Sequence, residues 1–147
     1  MTSNPLPEQR LQPLFEVKLN YVEGKPAVSM DGKVGEYLGS GEGTVTGVRL
    51  NGVVHWTLFE AQRETACESN LFGIITTEDE AEIRFDTMGF FRRPYKDKPH
   101  LWVTSAAVSF ETDDERYTWP NPILGVWEGT FDMSSYKHHY QAYAREL

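Results

Sequence analysis

Polar and apolar residues alternate one for one along much of this chain, and the alternation is already clear in the run 14–21. Phe15, Val17, Leu19 and Tyr21 fall on one side of it, and Glu16, Lys18 and Asn20 on the other. A period of two marks a strand, because successive side chains leave an extended backbone on opposite faces. β-rich runs predict further strands over 44–50, 53–60, 70–77, 81–90, 100–110, 123–131 and 138–145. The Asn51-Gly52 pair between the second and third runs reads as a hairpin turn, since both residues tolerate positive φ. Glycines at 24, 32, 35, 39, 41 and 43 predict turns, corners or bulges where backbones approach closely. The segment 112–121 is polar and proline-bracketed, with room for one short helical turn. Only the tail from Tyr136 to Leu147 lets a helix compete with a strand.

About eight strands with short connections place neighbours antiparallel. Such a set either stacks as a sandwich or closes, and closure removes the exposed edges. The expected fold is therefore all-β, a single closed antiparallel barrel wide enough for side chains or one small ligand. Residues 1–10, with Pro5 and Pro7, read as a flexible arm, and 11–147 as the barrel domain. A chain of 147 residues has no room for a second core.

Composition sharpens this picture. A hydrophobic share of 39% is low for a packed globule, but 13% of residues are aromatic, so the core is expected to be built from rings. Twenty-two acidic against 14 basic residues give a net charge of −8. Nucleic acid is not an expected partner, because phosphate binding needs a concentrated basic surface; an anionic membrane surface is disfavoured likewise. The start of the chain lacks the apolar stretch of a secretion signal, which points to a cytoplasmic location. One cysteine, Cys67, allows neither an internal disulfide nor a cysteine-rich metal site. Histidines at 55, 100, 138 and 139 lack metal-ligand spacing and read as surface or loop residues, the adjacent pair facing opposite ways if on a strand. Neither metal nor cofactor is expected, and no nucleophile elbow or phosphate-binding loop occurs.

Two strings carry a family resemblance. Gly43-Thr44-Val45-Thr46-Gly47-Val48-Arg49-Leu50-Asn51-Gly52 is followed by Trp56, and Phe110-Glu111-Thr112 by Arg116-Tyr117-Thr118-Trp119-Pro120-Asn121. With the opening Pro13-Leu14-Phe15-Glu16-Val17, they resemble domain-of-unknown-function family 3237, from about residue 11 to the C-terminus. The resemblance implies a closed barrel similar to that of allene oxide cyclase, whose relatives include cofactor-independent cyclases and isomerases. Pro120 stands where leucine is more usual, and Asn70 near a position that is often aspartate.

Candidate chemistry follows from polar groups beside an aromatic lumen. Arg49, flanked by small residues, could hold a carboxylate or enolate oxygen with its planar fork, and Tyr117 is the accompanying tyrosine. Asp86 or Glu16 would move a proton if apolar walls raised its pKa. Trp56, Asn70, Trp102, Trp119 and Tyr140 are the expected ligand-binding walls, with Tyr117 and Trp119 at a mouth or lid. The expected function is a cofactor-independent isomerase, cyclase or lyase acting on an aromatic or polyketide-like hydrophobic metabolite; the alternative is a carrier of such a ligand. A homodimer is the expected assembly.

Overall fold

The computed structural model describes residues 11–23, 35–62 and 67–145. The expected arm at 1–10 lies outside them. Eight strands run in chain order: β1 (Leu11–Glu23), β2 (Gly35–Thr46), β3 (Asn51–Gln62), β4 (Cys67–Thr77), β5 (Glu82–Arg92), β6 (Leu101–Glu111), β7 (Leu124–Asp132) and β8 (Lys137–Arg145). Each pairs antiparallel with the next, and β1 pairs with β8, from Leu11 opposite Arg145 to Asn20 opposite Lys137. The sheet is a closed up-and-down barrel without a free edge. The tail resolves as strand because His138, Tyr140, Ala142 and Ala144 alternate inward with period two.

Two expectations about the second strand change. The chain reverses at 47–50, and Asn51-Gly52 already belongs to β3, with Asn51 opposite Thr46 and Gly52 opposite Val45. The Asn51 amide fixes this register: its Nδ2 donates to the Gly47 carbonyl at 2.9 Å, and its Oδ1 accepts from the Gly47 N–H at 3.2 Å. Gly35, Gly39, Gly41 and Gly43 are not corners but strand residues of β2.

The strand glycines have a packing reason. A Cβ on Gly41 would stand 1.9 Å from the Asn20 carbonyl oxygen and 2.6 Å from Trp56 Cζ2. On Gly129 it would stand 2.0 Å from the His139 carbonyl oxygen and 2.7 Å from Tyr140 Cα. The Trp56 ring and the neighbouring backbones thus occupy the room that these glycines leave.

The interior divides along the barrel axis. Toward one end, Phe15 meets Phe110 and Trp127 edge-on at 5.8 and 6.3 Å, and Phe85 stacks on Trp127 at 5.7 Å. These rings, with Leu50, Ile75 and Ile83, form an apolar filling worth roughly 1.5–3 kcal/mol for each large side chain buried. The β6–β7 segment closes this end. Asn121 bonds reciprocally with the Thr112 backbone, Thr112 Oγ1 donates to the Glu82 carbonyl, and a single 3₁₀ turn spans Glu115–Tyr117. Tyr117 Oη donates to Asp79 Oδ1 at 2.8 Å, and the Arg49 guanidinium lies 3.9 Å above the Trp119 ring. The opposite end carries the interior's polar groups.

Replacing Gly41 by alanine is expected to cost about 3 kcal/mol, at the upper end of ordinary overpacking, because the new methyl meets backbone. Urea denaturation, read at unchanged m-value, measures it.

Candidate functional site

On β3 the inward series runs Val54, Trp56, Leu58, Glu60, and on β8 it runs His138, Tyr140, Ala142, Ala144. Inward parity therefore carries one carboxyl and one imidazole into the barrel. Glu60 is 4% exposed and His138 1% exposed, and both lie toward the end where β1 finishes and β8 begins.

His138 is the centre of a chain of three side chains. Its Nδ1 shares a short hydrogen bond with Tyr140 Oη, and its Nε2 lies 3.2 Å from Tyr21 Oη. Phe131 stacks on the imidazole at 4.3 Å, and Trp56 and Phe91 approach it at 5.6 and 6.2 Å. Burial among these rings pushes the imidazole pKa down to about 3, so His138 is neutral at neutral pH. A neutral imidazole has one N–H and one lone pair. If Tyr140 donates to Nδ1, Nε2–H donates to Tyr21 and leaves the Tyr21 proton free. In the other tautomer the free proton belongs to Tyr140. Either way one phenolic O–H is not used within the chain, at Tyr21 or at Tyr140, where Thr104 is in hydrogen-bond reach, and a tautomer change moves it.

Glu60 stands across the same compartment. Cys67 Sγ is 3.9 Å from Glu60 Oε2, and burial pushes the carboxyl up to about 7 against the small downward pull of that thiol. The Cys67 thiol is itself raised to about 12, by burial and then by the Glu60 charge. The Tyr21, Tyr37 and Tyr140 phenols are raised first by burial, and the Glu60 charge adds to all three. One carboxyl, poised near neutrality, thus acts electrostatically on every phenol of the compartment. One buried hydroxyl here, Tyr37 Oη, has no hydrogen-bond partner among the described residues, whereas the Thr104 hydroxyl hydrogen-bonds the Tyr140 phenol.

The residues expected from sequence separate into three places. Trp56, Trp102 and Tyr140 are buried inside the barrel; Trp56 Nε1 donates to the Glu42 carbonyl and Trp102 Nε1 to Met133 Sδ. Glu16, Asn70 and Asp86 do not face the lumen, because their strand parity turns them outward. Glu16 pairs with Lys18 at 3.4 Å and with His139 at 3.1 Å on the outer wall. Asn70 Nδ2 donates to Asp86 Oδ1 and to the Thr87 carbonyl, both at 2.7 Å. Asp86 lines a groove of about 900 Å³ across the outer wall, with Glu42, His55, Phe72, Ile74 and Arg84. Arg49, Tyr117 and Trp119 sit at the closed end, away from the polar compartment. Arg49 lies in the 47–50 reversal, so the strand parity that would have turned it inward does not apply.

Glu60 and His138 are the residues that sequence reasoning missed. His138 is not a surface or loop histidine but a buried strand residue. For Glu60 the signal was present, since it continues the apolar series Val54, Trp56, Leu58. The described residues contain no cluster of three or more His, Cys, Asp or Glu side chains able to hold a metal ion, and no helix long and apolar enough to cross a membrane.

No protein-family model and no curated protein matches the chain. Solved structures share its fold. A protein of unknown function from Clostridium acetobutylicum superposes with a TM-score of 0.81 at 18% identity, covering 97% of this chain and 100% of the other. A β-barrel-like protein from Acinetobacter baumannii gives 0.80 at 18%, covering 99% and 100%. An enzyme from Penicillium herquei gives 0.65 at 19%, again covering 99% and 100%. At these identities the likeness is one of fold.

The two buried groups give stability opposite pH dependences. The folded Glu60 pKa is raised, so its contribution is complete below 4.5 and is lost as pH rises through about 7. The folded His138 pKa is depressed, so its contribution is complete above 6.5 and is lost as pH falls through about 3. Between 4.5 and 6.5 the two slopes oppose each other and cancel. In Glu60→Gln only His138 remains, and stability relative to wild type is expected to rise by about 1.4 kcal/mol per pH unit across that window. Paired urea titrations at half-unit steps measure the difference.

Proposed function

We propose that this barrel binds a small, largely apolar, ring-bearing molecule at its polar end and moves a proton on it, as an isomerase, cyclase or lyase that needs no cofactor. The observation that carries this reading is the meeting, in one buried compartment, of a carboxyl poised near pH 7 with a phenol–imidazole–phenol chain. A carrier needs walls and one anchor, whereas proton transfer needs a base and a donor within reach of one substrate. Glu60 is the base and Tyr21–His138–Tyr140 the donor; Trp56, Phe91, Trp102 and Phe131 supply ring contacts. The fold shared with an enzyme from Penicillium herquei agrees with this reading, as does the resemblance to family 3237.

The step this geometry suits is enolisation. Ionised Glu60 takes the proton from a carbon next to a carbonyl, and the C–H electron pair becomes the new C=C bond as charge moves to oxygen. The free phenolic O–H hydrogen-bonds that oxygen, in the manner of an oxyanion hole. Where the enolate is conjugated with a C=C bond, Glu60 returns its proton to the far carbon of the dienolate, which completes an isomerisation; alternatively the enolate carbon attacks a second carbonyl, whose π pair moves to oxygen and takes the proton from Glu60, which closes a ring. Burial serves this step because a carboxylate with a pKa near 7 is a stronger base than a solvated one and is still ionised in part at neutral pH.

Incubating the protein with a metabolite extract in D₂O and following deuterium uptake by mass spectrometry finds a substrate by its chemistry. With that compound, Glu60→Gln is expected to lower kcat about 100-fold or more, and Tyr21→Phe about tenfold. Asp86→Asn and Tyr117→Phe, remote from the compartment, are expected to keep wild-type turnover. A compound that is retained but never exchanges, with Glu60→Gln unchanged, would instead identify a carrier.

A further inference from the structure

The outer wall of the barrel has two unlike sides. Over β1, β7 and β8 its exposed large apolar residues stand singly, Leu11, Val22 and Leu124 among Glu16, Lys18, Glu128 and His139. Over β2–β5 they gather: Leu38 lies opposite Phe59, Asn70 lies between Phe59 and Met88, and Phe72, Ile74 and Phe90 adjoin them. The exposed parts of these six apolar side chains amount to about 600 Å², the upper limit of the largest apolar patch on an ordinary monomer. Half of a standard-size interface buries about 800 Å², of which about 450 Å² is apolar, so this face carries enough to hold a partner. Its composition is that of an interface core, rich in Phe and Met, and β2–β6 carry no lysine.

The shape of this face specifies its occupant. The outer groove of about 900 Å³ is lined by three successive residues on each of β2 to β6, centred on the paired row Gly41, Trp56, Gly73, Phe85 and Phe110. It therefore runs across the strands and forms the waist of the barrel. The wall of a closed barrel with tilted strands is a hyperboloid, convex around its girth and concave along its length. A saddle of this kind fits a copy of itself turned through about a right angle, because the girth of each enters the waist of the other, as in orthogonal sheet packing. The polar groups of the groove need no foreign partner. Arg84 is paired with Glu111 at 2.9 Å, and Asp86 accepts from Asn70 at 2.7 Å. We propose that the chain forms a two-fold dimer whose contact is the waist of β2–β6, with Phe72 and Ile74 of β4 at its centre and Phe59 and Met88 beside them.

Sedimentation velocity of the whole chain, from about 1 to about 50 µM, tests this. A dimer is the expected species. Met88 is 72% exposed, so Met88→Lys spares the single barrel, yet the two-fold axis makes it bury two unpaired charges in the contact. It is expected to weaken association at least about 100-fold. Phe72→Lys is expected to do the same; should its urea midpoint show an unfolded barrel, Met88→Lys alone decides. Leu124→Lys, at a residue 73% exposed on β7, is expected to leave the dimer intact. Each chain carries a net charge of −8, so this apolar contact is expected to tighten about threefold as salt rises from about 50 to about 500 mM and screens the repulsion. A monomer at every concentration overturns the proposal, as does a dimer that survives Met88→Lys or is lost in Leu124→Lys. Association that loosens with salt also overturns it, and identifies a head-to-tail contact instead, between the basic stretch Arg92, Arg93, Lys96 and Lys98 and the acidic turn Glu78-Asp79-Glu80.

Discussion

Pairing β1 with β8 is the constraint on which the rest of this structure depends. Once the sheet closes, every second residue of every strand must share one interior, and no strand can turn a troublesome residue back to solvent without reversing its whole face. The chain meets the volume side of this constraint with strand glycines, Gly41 against the Trp56 ring and Gly129 against the backbone of His139 and Tyr140. The same rule leaves Glu60 and His138 inside, because slipping either strand by one residue would expose Trp56 and Leu58, or Tyr140 and Ala142. Apolar burial on neighbouring positions thus holds two polar groups where neither would go alone.

The two ends of the barrel are stabilised differently. At the closed end, polar groups lie outside a packed apolar filling and bond to each other: Asp79 accepts from Thr77 Oγ1 and Tyr117 Oη and pairs with Arg116 at 3.3 Å. Hydrogen bonds to Asp79 and Asp114 hold both carboxyls below the usual range, with Asp114 at about 2. These partners are satisfied locally by short-range contacts. At the opposite end the polar groups are enclosed, the Glu60 carboxyl moves the other way, and the Tyr37 hydroxyl lacks a partner among the described residues. The imbalance is confined to one end, and the proposed site is placed there for that reason.

How much of this was legible in the chain depended on parity. The alternation of Phe15, Val17, Leu19 and Tyr21 predicted β1 and its inward face, and short connections predicted antiparallel neighbours; closure followed from the edge argument. The β2–β3 reversal was misplaced because Asn51-Gly52 is a strong turn signal, whereas its amide here works from within β3, clamping Gly47. Carrying β2 up to that turn would make Arg49 a strand residue. Asp86 and Glu16 qualify as interior groups on alternation alone, because alternation shows that two faces exist but not which one is buried. Charge is the better guide to that choice: on β5, Arg84 and Asp86 mark the solvent face opposite Ile83 and Phe85.

Glu60 shows where that guide fails and why the failure is informative. Along β3 the apolar series fixes the inward face without ambiguity, and the charged residue at its end lies on that face, against the rule that charges stay outside. His138 repeats the pattern at the start of β8, two residues before Tyr140. Both exceptions fall at the same end of the barrel, on strands that are not neighbours, and the carboxyl of one raises the phenol that hydrogen-bonds the other. One inward charge could be tolerated as an accident of packing. Two ionisable groups pushed in opposite directions at one end of the barrel are the feature on which the proposed site rests. The outer groove that holds Asp86 lacks this character: Asp86 already accepts from Asn70, and Arg84 already pairs with Glu111 at 2.9 Å.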